Sequence, residues 1–201
     1  MSGLCSFLRA SAAALAACLV LGALSGAAAE SRLVRIDTVL SEGGQPVQDA
    51  MTLSVWAMAP DPAAPELVAE RHAAPAEVTL SPGRYRIEAI YGSLRRVREV
   101  SVADTADQRV TINLRGGQLR FELLPERGAA PVNGPVAWEV RRYARGSAPG
   151  ALVLAETARR LDVTLQEGWY EIAARHEGDA VNHLVQVNAG RRYDYALLLG
   201  Q

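Results

Sequence analysis

The 201-residue sequence contains no lysine and only two cysteines, so every one of its 21 basic residues is an arginine. Both cysteines, Cys5 and Cys18, lie in an apolar N-terminal segment. The chain after residue 29 can therefore form no disulfide and offers no thiolate to zinc. Thiol-dependent catalysis is excluded there, and stability must come from packing alone.

A dominant charge of either sign is also missing. The formal net charge is −1, and the chain after residue 29 has 20 arginines against 22 acidic residues, a net charge of −2. This balance gives no electrostatic support for nucleic acid or an anionic membrane surface as a partner. Hydrophobic residues make up 49% and charged residues 21%, which is typical of a globular protein.

The N-terminal segment is typical of an export signal. Arg9 precedes the apolar stretch 10–24, and Ala27-Ala28-Ala29 provides the small residues that favour cleavage. We therefore predict a signal peptide over residues 1–29, cleaved near Ala29, and a periplasmic or secreted product. Two alternatives stay open: a lipoprotein anchored at Cys18, or an uncleaved leader, for which the apolar run is short.

An internal repeat organises the rest of the chain. Residues 78–89, V-T-L-S-P-G-R-Y-R-I-E-A, return 85 positions later as residues 163–174, V-T-L-Q-E-G-W-Y-E-I-A-A. The same offset aligns the remainder without a gap, with identities mainly at apolar, glycine and proline positions. We predict a tandem duplication, with unit one at 30–115 and unit two at 116–201. The short linker Arg115-Gly116-Gly117-Gln118 keeps the units close, and its glycines leave their angle open.

The hydrophobic pattern predicts β-strands throughout both units. Helical periodicity is absent outside the leader, whereas short alternating runs recur between turn residues. Seven such strands per unit predict an all-β chain of two tandem immunoglobulin-like, or prealbumin-like, β-sandwiches. Alternation places Tyr85, Ile87 and Ala89 on the inner face of their strand. Their equivalents Tyr170, Ile172 and Ala174 follow in unit two.

The pattern Leu-x-x-Gly-x-Tyr-x-Ile, at residues 80–87 and again at 165–172, resembles immunoglobulin-like modules of the carboxypeptidase-regulatory and collagen-adhesin B types. The resemblance implies a β-sandwich of the bacterial cell surface or periplasm, with no particular ligand. Adhesin modules often carry an isopeptide bond between lysine and asparagine. That bond cannot form in a chain without lysine.

Four residues of the repeated pattern have predicted structural roles. Gly83 and Gly168 permit a backbone turn before the following strand. The hydroxyl groups of Tyr85 and Tyr170 are then placed to bond to backbone upstream, as in a tyrosine corner.

One pair of histidines is a weak candidate for metal binding. His176 and His183 flank a predicted four-residue turn, which would make them diagonal neighbours on one face. Glu177 or Asp179 could add an oxygen ligand. The alternative is that both histidines are partly buried polar residues at one end of the sandwich. No cofactor is predicted.

Arginines and tryptophans supply the other candidate binding residues. Five arginines are predicted on the outer face of unit one, as a positive patch for sulfate, phosphate or carboxylate groups: Arg84, Arg86, Arg95, Arg96 and Arg98. An ordinary solvated face is the alternative, because glutamates are interleaved. Trp56 and Trp169 fall on the outward phase and Trp138 on the inward phase. Exposed tryptophans suit either a carbohydrate platform or a protein contact.

Motifs of known catalytic machinery are missing, including G-x-S-x-G, H-E-x-x-H and a phosphate-binding glycine loop. We therefore predict an exported, non-catalytic structural or binding protein of the bacterial envelope, with an unknown protein or an envelope glycan as its partner. A carbohydrate-binding protein that uses its outward tryptophans is the first alternative. A metal-dependent enzyme at the histidine hairpin is the second.

Overall fold

A computed structural model describes residues 30–58, 64–146 and 149–199. The predicted signal peptide lies outside these ranges. Every regular element within them is a β-strand. Among the described residues, there is no helix with the length and apolar character needed to span a membrane.

Seven strands form each unit. Those of unit one are β1 (Arg32–Val39), β2 (Ala50–Ala57), β3 (Glu66–Ala73), β4 (Ala76–Leu80), β5 (Gly83–Tyr91), β6 (Leu94–Val102) and β7 (Gln108–Asn113). Those of unit two are β8 (Gly116–Leu124), β9 (Val136–Arg142), β10 (Leu152–Ala158), β11 (Arg160–Gln166), β12 (Gly168–His176), β13 (Asp179–Val187) and β14 (Arg192–Leu198). The hairpin β5–β6 matches β12–β13 residue for residue at the offset of 85.

Each unit is a sandwich of a four-stranded and a three-stranded sheet. The strand orders are β3-β2-β5-β6 and β4-β1-β7 in unit one, and β10-β9-β12-β13 and β11-β8-β14 in unit two. Neighbouring strands are antiparallel except for two parallel pairs, β1 with β7 and β8 with β14. The prediction of an all-β chain with two tandem immunoglobulin-like sandwiches is confirmed.

Each sandwich encloses its own hydrophobic core. The predicted inward residues of β5 are buried, as are their equivalents on β12, so the predicted alternation is confirmed. Unit two buries a tryptophan, Trp138, where unit one has Leu53. The indole Nε1 of Trp138 donates to the carbonyl oxygen of Ala158 at 2.9 Å, so its one polar atom is satisfied inside the core.

The repeated tyrosines anchor the start of β5 and β12. Tyr85 donates its hydroxyl hydrogen to the carbonyl oxygen of Ser81, and Tyr170 does the same to Gln166, each at 2.8 Å. The predicted hydroxyl-to-backbone bond is confirmed in both units. The glycines before them differ in backbone conformation. Gly168 has φ +148°, whereas the φ of Gly83 lies outside the left-handed range. Only the turn of unit two therefore requires glycine.

The linker is hydrogen-bonded to unit one. The amide of Leu114 donates to the carbonyl of Val39 at 2.8 Å, and the amide of Gly116 donates to that of Leu40 at 2.9 Å. The backbone thus continues along the end of β1 after β7 has finished.

The same linker is hydrogen-bonded to unit two. The amide of Glu167 donates to the carbonyl of Arg115, and the amide of Gly190 donates to that of Gly116, both at 2.8 Å. The side chains of Arg115 and Glu167 also form an ion pair. Both units therefore hold the linker through its backbone.

Close packing at Gly116 explains the linker glycine. A Cβ atom there would collide with the buried side chain of Leu94 and lie 3.3 Å from the carbonyl oxygen of Leu165. The hydroxyl of Ser93 donates across the joint to the carbonyl of Thr164 at 2.6 Å. Gly116 thus permits close approach of the two units rather than freedom of angle, which corrects the expectation of an open angle.

Candidate binding surfaces

Exposed apolar side chains gather on the outer face of the four-stranded sheet of unit two. Nine large hydrophobic side chains are exposed in the described residues, and four of them belong to this face, each 46–52% exposed: Tyr143, Leu152, Trp169 and Leu184. We call these four residues the Trp169 face.

Trp169 lies at the centre of this face. Its backbone carbonyl accepts a hydrogen bond at 2.9 Å from the amide of Tyr143, which directly follows β9. On its other side it is paired with Gln186 of β13, and Leu184 is its diagonal neighbour. Two neighbouring aromatic side chains are thus set beside an amide and a leucine, an arrangement that offers both apolar contact and hydrogen bonds.

Two charged residues lie among the four members of the Trp169 face. Glu171 is paired with Leu184 on one side and with Arg141 on the other. Arg141 forms an ion pair with Glu139 and donates to the carbonyl of Gly150 at 3.1 Å. Because Leu152 is paired with Arg141, the two charged residues lie in one row between Leu152 and Leu184, and the face combines apolar and charged side chains.

The two candidate tryptophans do not share a surface. Trp169 is 48% exposed on unit two, whereas Trp56 is half-buried on β2 of unit one. Trp56 is paired with Arg86 and Leu67, so neighbouring side chains flank it on both sides. Sequence reasoning missed Tyr143, although its position two residues beyond Arg141 already put it on the outward phase.

The predicted five-arginine patch is wrong. Arg96 is paired with Ala89 and Arg98 with Ile87, so both arginines are on the inward phase of β6. The guanidinium of Arg98 donates to the carbonyl of Thr111 on β7, across the gap between the two sheets. Consecutive strand residues face opposite sides, so Arg95 and Arg96 cannot belong to one face.

The outward arginines of unit one are largely neutralised. Arg84 forms an ion pair with Glu99 at 3.3 Å, and Arg95 forms one with Glu88. Arg86 also points outward, beside Trp56 on β2. This face is a mixed-charge surface rather than a concentrated positive patch.

The histidine pair is also separated. The turn between β12 and β13 has two residues rather than four, Glu177 and Gly178, with φ +50° and +97°, as in a type I′ turn. His176 is therefore paired with Asp179 and His183 with Ile172, about 13 Å apart along the hairpin. The predicted diagonal arrangement is wrong.

Each histidine has a separate environment. The Nδ1 atom of His176 lies 3.1 Å from the carbonyl oxygen of Pro135, and its side chain is largely buried. The ring of His183 is exposed and tilted towards that of Tyr195, with centroids 6.3 Å apart. In the part of the chain that the structure describes, no group of three His, Cys, Asp or Glu side chains could hold a metal ion.

A polar cleft of about 240 Å³ lies at the joint between the units. Its wall includes Tyr91 of unit one, whose hydroxyl donates to Asp49 at 2.7 Å. Burial and the Asp49 carboxylate raise the pKa of Tyr91. Arg120 and Asp162, which are paired on the neighbouring strands β8 and β11, form an ion pair at 2.7 Å in the same wall, and the bond from Arg120 holds the pKa of Asp162 below its usual range. Each of these two pairs lies within one unit, and its members satisfy each other.

No protein-family model matches the sequence, and no curated protein matches it either. Several solved structures are similar at low identity, and three of them serve as examples. The Bacillus anthracis TIE protein matches with a TM-score of 0.34 and 11% identity, over 84% of this chain and 34% of that one. The Streptococcal ancillary pilin matches with 0.37 and 12%, over 82% and 61%. The shaft pilin spaA from Lactobacillus rhamnosus GG matches with 0.40 and 7%, over 84% and 97%.

The chain thus spans about a third of the length of the TIE protein. Identities and TM-scores this low carry no argument about function, and the fold assignment depends on the strand pairing itself. Membership of the carboxypeptidase-regulatory or collagen-adhesin B families stays a prediction. The chain is two immunoglobulin-like β-sandwiches in tandem, and the four most exposed large hydrophobic side chains among its described residues form the Trp169 face.

Proposed function

We propose that this chain is an exported, non-catalytic protein of the bacterial envelope that presents the Trp169 face to a protein or glycan partner. The observation that carries the proposal is the exposure of Trp169 next to Tyr143 and Leu184. Tryptophan and tyrosine are enriched among the residues that dominate binding energy at interfaces.

Comparison with unit one supports a role in binding. The residue equivalent to Trp169 is Arg84, and the residue equivalent to Leu184 is Glu99. In unit one these two form a diagonal ion pair on the same hairpin. The fold is therefore built equally well with a solvated pair at these positions, so unit two does not need its apolar pair for folding.

A matched double variant tests the proposal. Trp169→Arg with Leu184→Glu recreates the ion pair of unit one on unit two, and should leave the melting temperature nearly unchanged. Capture of the partner from envelope fractions should weaken by about 30-fold or more, the loss expected when a residue contributing at least 2 kcal/mol is removed. Arg84→Ala in unit one is the control and should capture the partner normally. Equal capture by the double variant and the unaltered protein would overturn the proposal.

Carbohydrate binding through the same face is the second candidate. It is favoured by the aromatic pair Trp169 and Tyr143 beside the hydrogen-bonding groups of Gln186 and Glu171. A glycan array should then give signals that Trp169→Ala extinguishes. An array without signals would exclude the glycan and leave a protein as the partner.

Export itself is part of the proposal. Cleavage near Ala29 gives a soluble product beginning close to Glu30, whereas lipidation gives a product that begins at Cys18. The intact mass of the protein recovered from its host distinguishes the two. A mass that includes the whole leader would contradict both forms of processing.

A further inference from the structure

Strand β13 is a long, regular sheet edge. It is the last strand of the order β10-β9-β12-β13, and no described strand pairs with its outer side. Its nine residues pair with β12 without a register shift, whereas β10, at the opposite edge, has one between Leu152 and Leu154. A regular edge presents a row of unpaired backbone groups that another extended strand can satisfy.

Charge protects the equivalent edge in unit one but not this one. Strand β6 carries four charged residues, Arg95, Arg96, Arg98 and Glu99. Strand β13 carries one, Asp179, and it lies at the turn. Charged side chains on an edge strand discourage pairing with other chains, so unit one has a protection that unit two lacks.

The two units also place different residues beside the gap between their sheets. In unit one, Arg98 of β6 donates to the carbonyl of Thr111 on β7, so a charged side chain crosses the gap beside the edge. The equivalent residue in unit two is His183, whose side chain is exposed. Both side chains are exposed and lie near the second sheet, so at this point the two edges differ in charge rather than in openness.

We propose that β13 pairs with β13 of a second copy of this chain, in antiparallel orientation. A pairing centred on His183 sets Val181 opposite Val185 and Asn182 opposite Leu184. Ala180 then faces Gln186, and no like charges are opposed. The same pairing of β6 would be centred on Arg98 and would oppose arginine to arginine. The sequence of the edge therefore selects unit two for self-pairing.

Such a pairing makes one continuous eight-stranded sheet with two-fold symmetry. It satisfies the free backbone groups of β13. It also brings the exposed side chain of Leu184 against Asn182 of the second copy. Both Trp169 faces then lie on the same extended sheet. The pairing makes the protein bivalent, independently of whether those faces bind a protein or a glycan.

Sedimentation velocity on the exported protein, over about 1 to 200 µM, tests the self-association. We expect a concentration-dependent dimer. Ala180→Arg with His183→Arg, which gives β13 the residues of β6, should weaken dimerisation by at least tenfold. The control is Ala155→Glu on β10, which gives that edge the residue of unit one, Glu70, and should leave the dimer intact. A protein that stays monomeric, or a dimer that both variants leave unchanged, would overturn the proposal.

A single cysteine gives a second test, which detects the dimer by cross-linking rather than by weakening it. No cysteine occurs after residue 29, so His183→Cys introduces a unique thiol at the centre of the pairing. Directly opposed strand residues lie at the Cα separation that a disulfide needs. We expect a disulfide-linked dimer under mild oxidation and a monomer from the control Ala155→Cys. Equal cross-linking of the two variants would contradict the assigned edge.

Discussion

The two units place different residues at the same points of one scaffold. On the outer face, the ion pair of Arg84 and Glu99 in unit one is replaced by Trp169 and Leu184 in unit two. Strand pairing, tyrosine anchors and the buried positions of the strands are shared. The comparison indicates that the shared positions build the fold, whereas interactions with other molecules depend on the positions that differ.

The β5–β6 and β12–β13 hairpins show the same division of roles. In unit one, Leu94 is buried against Gly116, and Ser93 donates to Thr164, so the hairpin tip forms the joint. The equivalent of Leu94 is Asp179, which is exposed. One hairpin tip is therefore an internal contact, and the other faces solvent.

The largest expected effect concerns the core of unit two. Trp138→Ala should lower the free energy of unfolding of unit two by about 3–5 kcal/mol, because it leaves a cavity and an unpaired carbonyl at Ala158. Trp169→Ala is the control in the same unit and should change it by less than about 0.5 kcal/mol. Urea unfolding of each variant, followed by amide exchange on β12 for unit two and on β5 for unit one, measures the stability of each unit. Similar losses for both variants would contradict the assigned faces.

A smaller effect is expected at the joint. Gly116→Ala should destabilise the protein by about 1–3 kcal/mol, because the added methyl group collides with Leu94. Leu94→Ala in the same chain frees that space, so the double variant should lose less than the sum of the two single variants. Additive losses in thermal unfolding would show that Gly116 and Leu94 are not in contact.

The repeated glycines should respond unequally. Gly168→Ala forces an alanine into a left-handed backbone conformation and should cost about 1–2 kcal/mol. Gly83→Ala meets only ordinary contacts, the nearest at 3.6 Å to the ring of Tyr85, and should be nearly neutral. Denaturant midpoints of the two variants provide the measurement. Equal costs would indicate the same turn in both units.

The smallest expected effect concerns the tyrosine anchors. Tyr85→Phe and Tyr170→Phe each remove one hydroxyl-to-carbonyl hydrogen bond and should cost about 1 kcal/mol. The loss should be somewhat larger for Tyr170, which is the more deeply buried of the two. A pair of phenylalanine variants as stable as the unaltered protein would show that these bonds contribute nothing.

Much of the fold could be predicted from the sequence because the repeat marks the positions that the scaffold needs. Alternation on β5 and β12 was sufficient to assign their faces. It failed at the β12–β13 turn, where the chain Glu177-Gly178 is compatible with either a short or a longer loop. It also grouped Arg95 with Arg96, although neighbours along a strand face opposite sides.

The joint and the Trp169 face were harder to predict because both depend on contacts between distant residues. A Gly116-Gly117 pair is typical of a flexible linker. Only the close approach of Leu94 shows that a larger residue does not fit at Gly116. Tyr143 directly follows β9, and the sequence pattern gives it no special role. Its importance follows only from its pairing with Trp169, 26 positions further along the sequence.

Amide hydrogen exchange at the joint tests the central claim that two copies of one scaffold are held in a fixed arrangement. The amides of Gly116, Glu167 and Gly190 donate to backbone carbonyls within the joint. A fixed joint predicts that they exchange as slowly as the amides of β5 and β12. Exchange of these three amides at the rate of an unstructured linker, while the core strands stay protected, would contradict it.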